Sequence, residues 1–424
     1  MLRTSPVQND PASQRTKRFV ALEWLRFVLG LYIVVYHTLH YYPSASRWSG
    51  YITGLGFFST STFFILSGFL LTHVYLKPLA PDNVYGLRES KYSFLVRRLA
   101  NLYPIHIGAM LLTVAAMALL PKLQLMPEDA MASIRAVIID TNNGVTQSHI
   151  LSNSELAWAA AENVTLTQAW NPYYLTFNPP AWSISTLFFF YLTFPWLAPW
   201  LWRRKRLMRW LILSNAVYLI PPLLVIAFTD GGAPETGLLH RNPLLRLPEF
   251  MSGILLCAWY HRRQMHNGAL GAGRLIWLGA VVVGSLALSE WLLLSGHSMA
   301  WRYVLHNGLL MPAQLSLILL CLVIPMPKNA AWQRWASRLG GASLPMFALH
   351  VPLYLAFSRL EVAVSGSAPQ RCLISIAACS AQRGPLALSG YPLFLILVVA
   401  FCILFQAQFV VPFRRFIQYL LLKR

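Results

Sequence analysis

The chain has 424 residues, of which 56% are hydrophobic and 13% aromatic, while only 11% are charged, against about 25% in an ordinary soluble domain. That composition excludes a soluble globular enzyme. With 34 Lys and Arg against 14 Asp and Glu, the formal charge is +20, and on so apolar a chain the excess points to membrane topology and away from nucleic acid.

Residues 1–18 are polar and lack the short apolar core and small-residue cleavage site of a secretory signal, so they read as a disordered cytosolic tail. Apolar stretches of spanning length follow at about 19–42, 51–76, 94–120, 182–202, 207–228, 244–260, 275–295, 303–325, 342–360 and 390–412. The expected fold is therefore all-α and polytopic, with about ten transmembrane helices in one domain over 19–412 and a basic tail at 413–424. The sixth span is the shortest, broken early by Pro243 and Pro248. With the N-terminus inside, 24 Lys and Arg fall in inner segments and nine on or near the outer side, while Arg26 lies within span one. Cytosolic loops carry the excess, so both termini are expected in the cytosol.

Outer connections are short except at about 121–181, a length that usually marks function. This loop carries Glu128, Asp129, Asp140, Glu155 and Glu162, and it ends in TLTQAWNPYYLTFNPPAW. Trp170, Tyr173, Tyr174, Phe177 and Trp182 there are either an interfacial aromatic belt or a surface on which a sugar stacks.

A charged side chain inside a span costs about 2.5–3.5 kcal/mol, so each one needs a reason. Arg26 and His37 are separated by 11 positions, which at ~100° per residue returns to within roughly 20° of the same face, about 16 Å further along the axis. They line one wall at two depths, with Arg26 in the cytosolic third and His37 in the outer third. Glu23 is placed to pair with Arg26 across one turn. Ser67 and Gly68 of span two reach the depth of Arg26 from the other direction, where small residues either permit close packing or shape a tunnel. In span six, Arg246 and Glu249 are spaced to neutralise each other. His350 of span nine falls about 12 Å from that span's inner edge, near the midplane. Two histidines and two arginines in one bundle exceed what packing requires. No Gly-rich phosphate loop, HExxH, GxSxG or paired zinc cysteines occur, and no third ligand joins His37 and His40, so no metal is expected. Cys372 and Cys379 in RCLISIAACS read as free thiols or a disulfide, and Cys257, Cys321 and Cys402 as packing residues.

The residues resemble the acyltransferase-3 family of integral membrane acyltransferases, over nearly the whole chain. The resemblance rests on Arg26 with His37, GFFSTSTFFILSGFLLT (56–72), VRRLANLYP (96–104), AWSIS…FYLTFP (181–195), RLPEF…G (246–253) and FALHVPL (347–353). Two positions depart. The family usually follows the tryptophan-serine block with a glutamate where this chain has Leu187 and Phe188, and its basic motif before span three commonly ends in an arginine where this chain has Asn101. The variant block looks like polysaccharide acetylases of the xanthan type.

What the resemblance implies is transfer of an acyl group, acetyl above all, from cytosolic acyl-CoA to a hydroxyl of an extracytoplasmic polysaccharide or lipid-linked glycan. The protein would lie in a bacterial inner membrane, with the donor as a substrate and no resident cofactor. Arg97 and Arg98 would hold CoA phosphates, and Arg26 with Ser67 and Gly68 would receive the thioester arm. His37 would act as general base or form an acyl-histidine, and both readings stay open. His350 would orient substrate or relay a proton. Trp170, Trp182, Ser183, Arg246 and Glu249 would serve the acceptor. Only FRRFIQYLLLKR follows the last span, so any further polysaccharide-assembly protein is expected as a separate partner. The rival classes are a transporter of a small anion or lipid-linked sugar and a structural or glycan-binding membrane protein.

Overall fold

The computed structural model describes residues 19–78, 85–123, 125, 134–141, 145–267, 270–294, 300–365 and 386–422. Glu128, Asp129, Cys372 and Cys379 lie outside the described residues. The architecture is all-α, with helices α1 (Val20–Thr38), α2 (Gly56–Tyr75), α3 (Lys91–Lys122), α4 (Asn153–Val164), α5 (Trp182–Trp202), α6 (Leu207–Phe228) and α7 (Glu235–Arg241). It continues through α8 (Pro243–Asn267), α9 (Ala272–Leu294), α10 (Ala300–Val304), α11 (Met311–Val323), α12 (Ala330–Val364), α13 (Tyr391–Phe405) and α14 (Val411–Leu422). Two short antiparallel hairpins break the helical pattern, β1 (Leu76–Pro78) with β2 (Tyr85–Leu87) and β3 (Ala136–Asp140) with β4 (Thr146–Ile150).

Among the described residues, eight helices are long and apolar enough to cross a membrane, and nine if Ala300–Leu309 and Met311–Val323, bent by 41°, form one span. The protein is an integral membrane protein. Helix α8 stands where the sixth span was expected and has 25 residues, but Arg246, Glu249, Arg262 and Arg263 set it apart from the purely apolar helices. The reason is position. Arg246, Glu249, Phe250, Ile254 and Cys257 are all buried, so α8 runs through the interior of the bundle and faces protein, unlike the outward-facing α6 and α9.

Lipid tails are as apolar as leucine, so helices in a membrane associate through close packing. Gly68 of α2 lies against the Phe250 carbonyl of α8, and Gly253 of α8 lies against the Ile65 carbonyl of α2, with no room at either for a Cβ. Helices α1 and α12 meet in the same way, with Gly30 against Met346 and Ser343, and Gly340 against Glu23. This second pairing brings the first helix against one more than 300 residues later in the chain.

Two boundaries differ from the hydropathy reading. Helix α12 begins at Ala330, twelve residues before the apolar stretch, because the polar segment AAWQRWASRLGG extends the helix beyond its buried part. The closing segment is also helical, with α14 reaching Leu422 beyond a five-residue π turn at Gln406–Val410.

Candidate active site

Helix α1 is one unbroken helix from Val20 to Thr38, so Arg26 and His37 do share a wall. Its packing on α12 places the His37 ring on the His350 ring, stacked with centroids 5.1 Å apart and planes 27° apart. His350 therefore sits at the level of His37, nearer one end of the bundle than the midplane position its span suggested. The early start of α12 accounts for the difference.

His350 is fully buried. Its Nδ1 donates to the Met346 carbonyl at 2.8 Å, which makes Nε2 the acceptor nitrogen, and Nε2 has no partner among the described residues. Pro352 lacks the N–H that would bond the Ala348 carbonyl one turn back. The Asn178 side-chain amide fills that vacancy at 2.6 Å, tying the end of the long loop to α12 beside His350. His37 is half-buried and makes no protein hydrogen bond among the described residues. Its ring faces a cavity of about 600 Å³ whose wall also includes Tyr41, Trp182, His240, Tyr354 and Arg359.

A second cavity of about 570 Å³ adjoins the first, lined by Asp140, Tyr173, Tyr174, Arg241, Arg302 and Asn307 among others. Leu175, Pro179 and His240 line both. His240 thus stands on the partition, packed edge-on against Trp182 at 4.8 Å and stacked on His306 at 5.2 Å. Desolvation by the surrounding protein, with Arg241, Arg246 and Arg302 nearby, holds His240 below its ordinary value, although its ring is exposed at the cavity walls. Arg241 is buried, and its Nε donates to the Asn171 carbonyl at 2.7 Å. Its Nη2 has no partner among the described residues.

Behind His306 lies the buried ion pair. Arg246 Nε and Glu249 Oε2 are 3.1 Å apart, with side chains 0% and 1% exposed. They are not aligned as a hydrogen bond, and the attraction is electrostatic. Arg246 is also held by His306 Nδ1 at 3.0 Å, the His306 carbonyl at 3.2 Å and Ser61 Oγ at 2.8 Å. Tyr218 donates to Glu249 at 2.9 Å. Arg246 and Glu249 are thus a structural joint one residue removed from the cavities.

The remaining candidates divide. Trp182 faces the histidine cavity. Ser183 does not, since its hydroxyl donates to the Pro180 carbonyl at 2.9 Å inside its own turn. Trp170 packs on Phe189 and lines neither cavity. Ser67 donates to the Phe63 carbonyl at 2.7 Å, and the space at Gly68 is filled by α8, so Gly68 serves packing and opens no tunnel. Leu187 is buried in the core where the family usually has its acid.

Toward the other end of α1, Arg26 pairs with Glu23 at 3.4 Å and lies 5.8 Å from the Phe63 ring. Arg98 donates to the Tyr75 hydroxyl and lies over its ring at 4.7 Å. Arg26 and Arg98 both lie within electrostatic range of Tyr191 on α5. Arg97 is 46% exposed and paired with Glu89 at 2.9 Å. Asn101 accepts from Arg414 of α14 at 3.3 Å.

His240, His306, Arg241 and Asn178 were not singled out from the sequence. His240 lies in a seven-residue helix between spans, and His306 precedes a break where Asn307 and Gly308 leave helical geometry, Gly308 at φ 114°. The Asn-Gly pair and the NPP run were the available signals.

Residues 19–407 match the sequence profile of an acyltransferase domain. The chain is also 27% identical over 263 residues to Acyltransferase MdmB of Streptomyces mycarofaciens, covering 57% of this chain and 57% of that relative. The chain thus spans little more than half the length of the curated relative it matches. No solved structure matches it. With the profile covering nearly the whole of a membrane-spanning helical bundle, the chain belongs to the acyltransferase-3 family.

Proposed function

We propose that this protein is a membrane O-acyltransferase that moves an acyl group, acetyl above all, from cytosolic acyl-CoA to a hydroxyl of an extracytoplasmic or surface polysaccharide or lipid-linked glycan. The observation that carries the reading is the His37 ring, stacked on His350 and open to a cavity, on the same helix that holds Arg26 about three turns away.

In this reading Arg98 and Arg97 receive the donor phosphates as charge-assisted contacts, and Arg26 lies on the path of the thioester arm. The acceptor enters through the cavity of Tyr173, Tyr174, Asp140 and Asn307, whose mix of rings and polar groups suits a sugar. His240 positions it by hydrogen bonding. The acceptor hydroxyl gives its proton to His37 as its oxygen attacks the thioester carbonyl. The C–S bond then breaks, and the thiolate leaves as free thiol with the proton returned from His37. The stacked His350 holds the His37 ring in place, and its bare Nε2 provides a buried proton acceptor.

The test is mass spectrometry of surface polysaccharide from cells lacking the protein, carrying it, or carrying the His37→Ala form. The expected result is an ester-linked acyl group present only with the intact chain. No difference among the three strains, together with anion or lipid-linked sugar flux into vesicles, would favour a transporter instead.

A further inference from the structure

At the end of the bundle away from the histidine cavities, the turn between α5 and α6 folds against the last turns of α8. It forms an open cleft of about 680 Å³ lined by Lys205, Arg206, Arg209, Arg262, Arg263 and Trp259, with no acidic side chain among the described residues of its wall. The wall is built and not loose. Arg262 donates to the Arg204 carbonyl at 2.8 Å and to the Trp202 carbonyl, strapping the turn onto α8. The neighbouring Arg204 guanidinium is held between the Trp200 and Trp210 rings at 4.0 and 5.0 Å.

Four cations remain turned toward this space. Among the described residues, Lys205, Arg206, Arg209 and Arg263 form no ion pair, and the buried Nε of Arg263 has no hydrogen-bond partner. Like charges gathered this closely repel one another, and an anion relieves them. A second observation says what kind of anion. Met208 lines the cleft, and beyond it α6 presents a broad exposed apolar surface that includes Ile212, Leu213, Val217, Ile220 and Leu224. A ligand with a phosphate head in the cleft and hydrocarbon tails against α6 matches both parts, whereas a soluble phosphate would use the cleft alone.

We propose that this cleft binds the phosphodiester headgroup of an anionic phospholipid, whose acyl chains lie along the outward face of α6. Basic pockets between helices at the cytosolic surface are suited to such headgroups. The inference does not depend on the acyl-transfer reading.

Native mass spectrometry of the purified full chain tests it, with phosphatidylglycerol and phosphatidylcholine supplied as competing probes. The wild type is expected to retain phosphatidylglycerol at least tenfold better. Arg206→Gln with Arg209→Gln and Arg263→Gln should abolish that preference, while the same three positions changed to Lys should keep most of it. Equal retention of both lipids by the wild type would overturn the proposal without reference to any variant. So would an unchanged preference in the Gln variant. Displacement by inorganic phosphate or coenzyme A, but not by dihexanoyl phosphatidylglycerol, would assign the cleft to a soluble phosphate and also overturn it.

Discussion

Among the described residues, His350 has one nitrogen committed to the Met346 carbonyl and one bare, and His37 has neither committed. That asymmetry separates a ring held in place from a ring free to meet a substrate. His240 adds a third kind of histidine, exposed at the cavity walls yet held below its ordinary value by desolvation and by Arg241, Arg246 and Arg302. A histidine held low when folded binds its proton more readily in the unfolded chain, so any stability it contributes is present above the ordinary histidine range and falls as pH drops below it. His240→Gln should shrink the drop in thermal midpoint between pH 7.5 and pH 5 measured in detergent, and an unchanged drop would contradict this account of the partition. At this scale much of the site was legible. Arg26 with Glu23 and Arg246 with Glu249 follow from spacing within one helix, and His37 and His350 each stand out as polar groups in apolar runs. Their contact was not legible, because it depends on which distant helices pack together, and a local pattern carries no record of that.

Helix positions were the most readable feature, since a run of about 20 apolar residues is a direct requirement of the bilayer. Helices α5 and α6 begin and end where hydropathy places them. Helix α12 does not, because its first turns lie beyond the apolar stretch and are helical for reasons hydropathy does not measure. The hairpin β3–β4 was missed because five-residue strands in a polar loop give a weak signal. Helix α8 is the element whose charge and burial most need explaining, and its Arg246–Glu249 joint supplies the reason. Removing one partner of a buried pair strands the other at a cost of about 3–5 kcal/mol, whereas replacing both by apolar residues can be nearly neutral. Arg246→Ala or Glu249→Ala should lower the thermal midpoint sharply, and Arg246→Met with Glu249→Leu should recover most of it. Equal loss in the double variant would show that the wider network of Ser61, His306 and Tyr218, and not the pair itself, holds the joint.

The whole molecule has two chemically distinct ends. One carries the adjoining cavities, the long loop and the stacked histidines, and the other carries the arginine-rich turns. Arg26 and His37 connect them along a single face of α1. An enzyme that takes its donor from one side of a membrane and its acceptor from the other needs that polarity. The most direct measurement uses inside-out vesicles containing the protein, with a glycan acceptor in the lumen and radiolabelled acetyl-CoA outside. The account predicts label on the luminal glycan with the wild type and at least about 100-fold less with His37→Ala, the scale of a lost general base. Undiminished transfer by His37→Ala, or transfer only when donor and acceptor share one side, would contradict it.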